Sequence, residues 1–356
     1  MTDKIFISSL AEGEFHADSV LDISKGGKVL IISDLHMGSG SRDDLSHNGE
    51  MLISLLEEYY LKNGWILILN GDIEDLHRYS LDFIQEKWAA LYRVFNLFAR
   101  ENRLYKIVGN HDDLLLRKKY YPYSLHSVIK INTGTVCAFV YHGHQLSKIY
   151  NRFNNLFGLL IRYFCRPFGI KNIFSARNPN KRFRIEKEAY NFSLANNCLS
   201  IIGHTHRPLF ESLGRFEYIK FEIERLCQQY PSSSGEVRTQ IENEVTALRR
   251  ELGKLKRKER RDILSHSLYG DEMPVPCLFN SGCAIGKKGL NAIEVTNKDI
   301  TLVYWFTEGK SKNFITRGSY ETEQIPGKPY HRAVLNHNKL DYIMAKMKLL
   351  GSWKIT

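Results

Sequence analysis

Five short motifs in this chain carry side chains able to hold divalent metal, and each closes a run that reads as a β-strand. They are Asp34-Leu35-His36, Gly71-Asp72-Ile73-Glu74-Asp75, Gly109-Asn110-His111-Asp112, His142-Gly143-His144 and Gly203-His204-Thr205-His206. Their donors are carboxylate, amide and imidazole: Asp34, His36, Asp72, Asn110, His142, His204 and His206. Such a set suits Mn, Fe or Zn, with Mn the leading candidate. It is enough for two ions, and two adjacent divalent metals clamp a phosphate ester and generate hydroxide at neutral pH. Asp72 follows Gly71, which allows close backbone approach, and a carboxylate has two oxygens with which to bridge two cations. Asn110 adds an oxygen without adding charge.

Asp34 and His36 are two apart, as are His204 and His206. In an extended chain residues two apart point the same way, so Asp34 and His36 can reach a single metal. His111 neighbours a ligand but is spare, and imidazole suits proton transfer to a leaving group near neutral pH. Asp112 can partner His111 or hold a helix start. His144 is an alternative to His142 as ligand. His77 and Arg78 can touch substrate phosphate or sit in a surface turn.

The elements that must position these groups follow from apolar patterning. Lys28 to Ser33, Trp65 to Asn70, Leu104 to Val108, Val136 to Tyr141 and Cys198 to Ile202 read as strands, each ending at a motif. Asn48 to Tyr60 and Leu81 to Arg100 have helical spacing. Strands separated by helices argue for α/β layers, and in open α/β sheets the carboxyl ends of strands are where sites form. Late in the chain, Cys277 to Ile285, Leu290 to Val295 and Ile300 to Phe306 are close-spaced strands, expected to form an antiparallel second sheet.

Two segments look inserted. One, about 148–190, has a core from Lys148 to Lys187 with ten Lys/Arg against one Glu and eight Phe/Tyr. Ile149, Phe153, Leu156, Leu160 and Tyr163 form a helical stripe in it. It can pack on the core, form a lid for an anionic acylated substrate at a membrane surface, or bind nucleic acid by arginine contacts and stacking. The other, about 231–270, is helical from Glu236 to Ser265. There Ile241, Val245, Leu248, Leu252 and Leu255 make a coiled-coil-like seam suited to packing or self-association. Residues 1–330 thus read as one domain with two insertions, and 331–356 as a helical tail with an amphipathic helix from Lys339 to Leu350.

The 356 residues, 43% hydrophobic, suffice for a large core. A net charge of +11 favours anionic partners. Six cysteines without a Cys-x-x-Cys pair read as buried thiols in a reducing compartment. The N-terminal residues lack a signal-peptide layout. Leu156 to Ile170 is too short to span a bilayer and is broken by Arg162, Arg166 and Pro167. A cytoplasmic protein is expected, with peripheral contact at the inner membrane face as an option.

The motif set resembles the calcineurin-like metallophosphoesterase superfamily, whose pattern is D-x-H, G-D-x-x-D, G-N-H-[D/E], an isolated His and G-H-x-H. Every element is present between residues 34 and 206. The resemblance implies a four-layer α/β/β/α sandwich with the site at one edge. It places Asp34, His36, Asp72 and His206 on a first metal, and Asp72, Asn110, His142 and His204 on a second. It makes His111 the general acid, oriented by Asp75, and the reaction an attack of metal-bridging hydroxide on a phosphoester or pyrophosphate. Ser33 to Gly38, Gly203 to Pro208 and Asn280 to Cys283 look most like the UDP-2,3-diacylglucosamine diphosphatase branch, which cleaves a nucleotide-sugar pyrophosphate and carries a helical lid after the fourth motif. Two features depart from that branch: His144 stands where an Asp is usual, and the Glu236 to Ser265 helix is extra. Alternatives are a phosphodiesterase or nuclease, or a non-catalytic scaffold on the same fold.

Overall fold

The structure, a computed structural model, describes residues 17–350 other than 41–43, 119, 147–178, 211–218, part of 220–233, 263–274, 287, 311–319 and 321. Its apolar runs form two sheets. The six-stranded sheet has the order β1 (Ser19–Asp22), β6 (Val128–Asn132), β7 (Cys137–Tyr141), β8 (Leu199–Ile202), β10 (Leu278–Ser281) and β9 (Pro208–Phe210). The eight-stranded sheet has the order β13 (Thr322–Gln324), β14 (Tyr330–Lys339), β12 (Asp299–Thr307), β11 (Leu290–Thr296), β2 (Lys28–Ile32), β3 (Ile66–Asn70), β4 (Leu104–Ile107) and β5 (Leu125–His126). β2, β3 and β4 are mutually parallel, as are β7 and β8. Parallel pairing brings all five motif-bearing carboxyl ends out at sheet edges.

Helices close the layers. α1 (Gly49–Ser54) continues as a wider π turn over Leu55–Leu61, followed by α2 (Leu81–Lys87) and α3 (Ala89–Arg100). Leu52, Leu56, Ile84, Leu91, Phe95 and Phe98 from these helices share one buried cluster with Leu30, Ile32, Leu67, Leu69 and Trp305 of the eight-stranded sheet. α4 (Pro179–Asn196) packs on β8 and β10, burying Ile185, Ala189, Tyr190 and Ser193. The result is a mixed α/β arrangement of two sheets with helices packed on them.

The chain divides into two compact units, Met1–Phe210 with Cys277–Thr356, and Glu211–Pro276. The second holds α5 (Gly235–Asp262), in which Ile241 is buried and Val245 and Leu248 are half-buried while their helical neighbours are exposed. α6 (Leu340–Leu350) ends the described chain. No helix among the described residues is long and apolar enough to cross a membrane.

Several expectations need correction. The helix expected from Leu81 to Arg100 breaks at Trp88, which leaves the helical region at φ −108° and ψ 25°. Its indole donates to Gly38 O at 3.0 Å, and its ring lies where a Cβ on Gly49 would stand, 2.7 Å away. The break thus pins the helix pair to the loop that follows His36. The late strands form no sheet of their own. β10 inserts parallel to β8, whereas β11 pairs antiparallel with β2 and extends the other sheet. Past residue 330 the chain is first a strand: β14 pairs antiparallel with β12 from Tyr330 to Lys339. Its apolar residues cluster at Ala333-Val334-Leu335 between polar runs and do not alternate, so periodicity carries no strand signal. Of the basic insertion, residues 147–178 lie outside the described residues, and with them the Ile149 to Tyr163 stripe. The part that is described belongs to α4, a buried layer helix.

Candidate metal centre

The ligand-bearing loops do not run extended. Asp34, His36, Asp72, His204 and His206 all adopt left-handed backbone conformations, with φ of 55°, 45°, 53°, 61° and 56°. The two-residue spacing therefore converges by tight turning, not by strand alternation. A non-glycine residue in this region costs about 1–2 kcal/mol. Five in one cluster persist only because the surroundings over-determine them, as at functional sites. Two glycines make room. A Cβ on Gly109 would lie 2.2 Å from Asp72 Oδ1, and one on Gly71 would lie 2.4 Å from His142 Nδ1.

Each site carboxylate has one oxygen committed to protein donors and one left facing imidazoles. Asp34 Oδ2 accepts the Ser33 hydroxyl at 2.5 Å and the His204 backbone N–H at 3.1 Å. Its Oδ1 stands 3.1 Å from His206 Nε2 and 3.8 Å from His36 Nε2. Asp72 Oδ1 accepts the His111 backbone N–H at 2.8 Å. Its Oδ2 stands 3.2 Å from His142 Nε2 and 3.9 Å from His36 Nε2. His36 Nε2 and His206 Nε2 face each other at 3.1 Å. The His142 ring packs against Asn70 O at 2.8 Å through Nδ1, which fixes the tautomer that aims a lone pair from Nε2 into the site.

These contacts gather two overlapping groups, Asp34 with His36, Asp72 and His206, and Asp72 with His142 and His204. Within each group the ligand atoms lie within 4.8 Å of one another. Asp34 Oδ1, Asn110 Oδ1 and His142 Nε2 are buried without an aligned hydrogen bond. Buried polar atoms are ordinarily satisfied. Orphaned acceptors converging with opposed imidazole nitrogens fit divalent cations held at both groups, with Asp72 common to the two. His144 is buried, its ring 5.5 Å from that of His142, and belongs to neither group.

The electrostatics point the same way. Burial opposes ionisation of Asp34 and Asp72, but His206 beside the first and His142 beside the second hold both carboxyls below their ordinary range. Burial lowers His36 to about 4 and His204 to about 3, the neutral form a ligand needs. His142 also resists charging by burial, yet Asp72 draws it up to about 9. His111 behaves likewise: burial is outweighed by Asp72 and Asp75, and it rises to about 9. Its Nδ1 is 3.1 Å from Asp75 Oδ1, and its Nε2 lies 4.0 Å from Asp72 Oδ2. His77 is buried against the His111 ring, centroids 4.7 Å apart, and burial lowers it to about 4. Arg78 Nη1 lies 3.6 Å from Asp75 Oδ2.

Sequence reasoning missed the groups behind the ligands. Ser33, which fixes Asp34, also contacts Ser281 Oγ at 2.8 Å. Lys106 is fully buried and bonds Glu74 at 2.7 Å and Asp112 at 2.8 Å. The Asp112 side chain in turn accepts the backbone N–H groups of Gly109 and Ile73 and so braces the motif, while its carbonyl opens the 3-10 turn Asp113–Arg117 by accepting Leu115 N–H at 3.0 Å. A lysine in the middle of an apolar strand was the one available sign.

A family model described as calcineurin-like phosphoesterase matches residues 27–232, more than half of the chain and all five motifs. No curated protein matches it. With that match and a centre built to hold divalent metal, the chain belongs to the calcineurin-like phosphoesterase family and is a metal-dependent hydrolase of phosphate esters.

Proposed function

We propose that the protein hydrolyses a phosphodiester or pyrophosphate bond at a two-metal centre. The observation that carries this is the pair of carboxylates, each with one oxygen tied to protein donors and the other facing imidazole nitrogens at 3.1–3.9 Å. Asp34, His36, Asp72 and His206 hold one cation, and Asp72, Asn110, His142 and His204 the other. When bound, two divalent cations neutralise phosphoryl charge and lower the pKa of water, so no protein base is required. The chain's own task is the leaving group. His111 gives a proton from Nε2 to the departing oxygen. Asp75 accepts from Nδ1–H and stabilises the protonated ring that donates from Nε2.

The narrower reading is a nucleotide-sugar or lipid-linked pyrophosphate substrate. It rests on the motifs Ser33 to Gly38 and Gly203 to Pro208, and a net charge of +11 agrees with an anionic substrate. The test is a hydrolysis screen with added Mn²⁺ across a bis-aryl phosphate, an aryl monophosphate, UDP-sugars with and without acyl chains, and single-stranded nucleic acid. Turnover of diesters or pyrophosphates with two metals per chain supports the reading. Turnover confined to the monophosphate, or one metal per chain, removes it. Preference for nucleic acid replaces the nucleotide-sugar reading with the nuclease one.

A further inference from the structure

Helix α4 sends one buried carboxylate toward the fifth motif. Glu186 is 1% exposed. Its Oε1 accepts the Thr205 hydroxyl at 2.9 Å and Arg207 Nε at 3.2 Å, while Oε2 takes Arg207 Nη2. The carboxylate and guanidinium thus meet side-on through two parallel bonds, the geometry that gives such pairs their directional strength. From the opposite side, Asn280 of β10 donates to Thr205 Oγ1 and to Gly203 O, both at 2.9 Å. Thr205 itself is 1% exposed.

The loop therefore alternates in role. His204 and His206 face the metal groups, one in each, while Thr205 and Arg207 are clasped by α4. His204 and His206 both hold left-handed backbone, which is uncommon for any non-glycine residue, and two in one short turn need support from outside it. Bonds from outside hold it: Asp34 Oδ2 takes the His204 N–H at 3.1 Å, His142 O takes the Gly203 N–H at 3.0 Å, and Glu186 and Asn280 hold Thr205.

We propose that Glu186 is a positioning residue for both cations. It fixes the Gly203-His204-Thr205-His206 turn through Thr205 and Arg207, and so makes metal affinity depend on the seating of helix α4. The inference rests on the two-metal reading above. Glu186 touches neither metal nor substrate and acts through the two histidines.

The test is Co²⁺ titration of the metal-free full chain, read by calorimetry and by the visible d–d absorption, alongside thermal unfolding without metal. Wild-type stoichiometry decides the two-metal reading by itself, and the ratio of variant to wild type decides this one. Losing a partner that orients a metal ligand typically costs 10–100-fold in affinity. Glu186→Gln keeps the shape but removes the charge and puts an N–H donor where Oε2 accepts from Arg207 Nη2. It is expected to weaken both cobalt sites by about 10–100-fold and to shift the cobalt spectrum, with unfolding of the metal-free protein little changed. Thr205→Val should reproduce the loss and Thr205→Ser should not. The double variant Glu186→Gln/Thr205→Val should lose less than the two single losses combined, since the two residues share the Thr205–Glu186 bond. Glu188→Gln, which alters an exposed pair with Arg184 on the same helix, is the control. If Glu186→Gln fails to fold, the Thr205→Val and Thr205→Ser pair still decides. The proposal is overturned if cobalt affinity and spectrum stay within twofold of wild type in Glu186→Gln and Thr205→Val, if only the unfolding temperature falls, or if wild type binds fewer than two cobalt ions.

Discussion

The two sheets contribute opposite chemistry to the centre. The eight-stranded sheet supplies both carboxylates, Asp34 and Asp72, together with His36, Asn110 and His111. The six-stranded sheet supplies imidazoles alone, His142, His204 and His206. The scaffolding differs in the same way. Loops of the eight-stranded sheet are laced backbone to backbone, by Asp34 N to Gly71 O at 3.0 Å, His36 N to Asp72 O at 2.9 Å and Leu76 N to His111 O at 3.1 Å. A fully buried Lys106, Glu74 and Asp112 cluster braces them from below. The His204–His206 loop has one backbone bond to a neighbouring motif, Gly203 N to His142 O at 3.0 Å, and is otherwise held by side chains: Asp34, Glu186 of α4 and Asn280 of β10. Two carboxylates brought together repel, so the anionic half must be built rigidly. The imidazole half is uncharged in its ligand form and can be tuned from a distance.

If the halves differ in this way, the shared carboxylate is the point of greatest leverage. Asp72→Asn keeps the shape, removes a charge and touches both metal groups. Turnover should fall by about 10³-fold or more, since a single preorganised electrostatic partner is typically worth 10²–10³. Metal analysis should show both ions weakened. His204→Ala, on the imidazole side, should empty one site and spare the other. Equal loss of both metals in the two variants would break the comparison.

The next largest effect isolates proton transfer. His111→Ala should keep metal binding and lose about 10²–10⁴-fold on substrates with poor leaving groups, the usual worth of general acid catalysis. A bis-aryl phosphate, whose leaving group needs no proton, should suffer far less. Equal losses on both substrates with metals retained would remove His111 from that role.

The ligand donors were legible because each sits at the end of a β-branched strand, and short motifs keep their spacing whatever the fold does between them. What escaped is long-range or geometric. β14 carries too few apolar residues to read as a strand and is defined by its partner β12. β10 looked like part of a late antiparallel sheet, because nothing local says that Leu278–Ser281 slots beside β8. The left-handed turns at Asp34, His36, Asp72, His204 and His206 carry no local signal strong enough to read, because Asp and His enter that region more often than most residues yet still rarely. Ser33 with Ser281, and Glu186 with Thr205, are pairings that only the folded chain creates.

The brace beneath the anionic half gives a prediction about stability. Lys106 is enclosed with two carboxylates, and Tyr92 and Tyr121 hydroxyls complete Glu74 at 2.8 and 2.6 Å. Removing one partner from a buried ion cluster typically costs about 3–5 kcal/mol, because it strands the other charges. Lys106→Met should show that loss in urea unfolding, whereas Lys62→Met, at an exposed pair with Glu58, should cost under about 1 kcal/mol. Pairing Lys106→Met with Glu74→Gln should recover part of the loss. A Lys106→Met protein as stable as wild type would mean that the anionic half does not depend on its brace.

The smallest expected effect is a pH dependence that reads the two halves against each other in the metal-free protein. His36, His77 and His204 are lowered by burial to about 4, 4 and 3. Their unfolded forms take protons near pH 6.5 and their folded forms do not, so stability is lost as pH falls from about 6.5 toward 4. His142 and His111 are raised to about 9 against burial, chiefly by Asp72. Their folded forms keep protons that the unfolded chain has released, so this stability is present below about 6.5 and is lost as pH rises to about 9. The chelated protein should therefore unfold at its highest temperature near pH 6.5 and several degrees lower on either side. Metal binding requires neutral imidazole and displaces the proton on His142. Saturating Mn²⁺ should then raise the whole curve by mass action and flatten its alkaline limb. Thermal scans from pH 4.5 to 9.5, with chelator and with Mn²⁺, make the check. An alkaline limb that persists unchanged under saturating metal would show that the proton on His142 and the cation do not compete, and that the imidazole half is no ligand set.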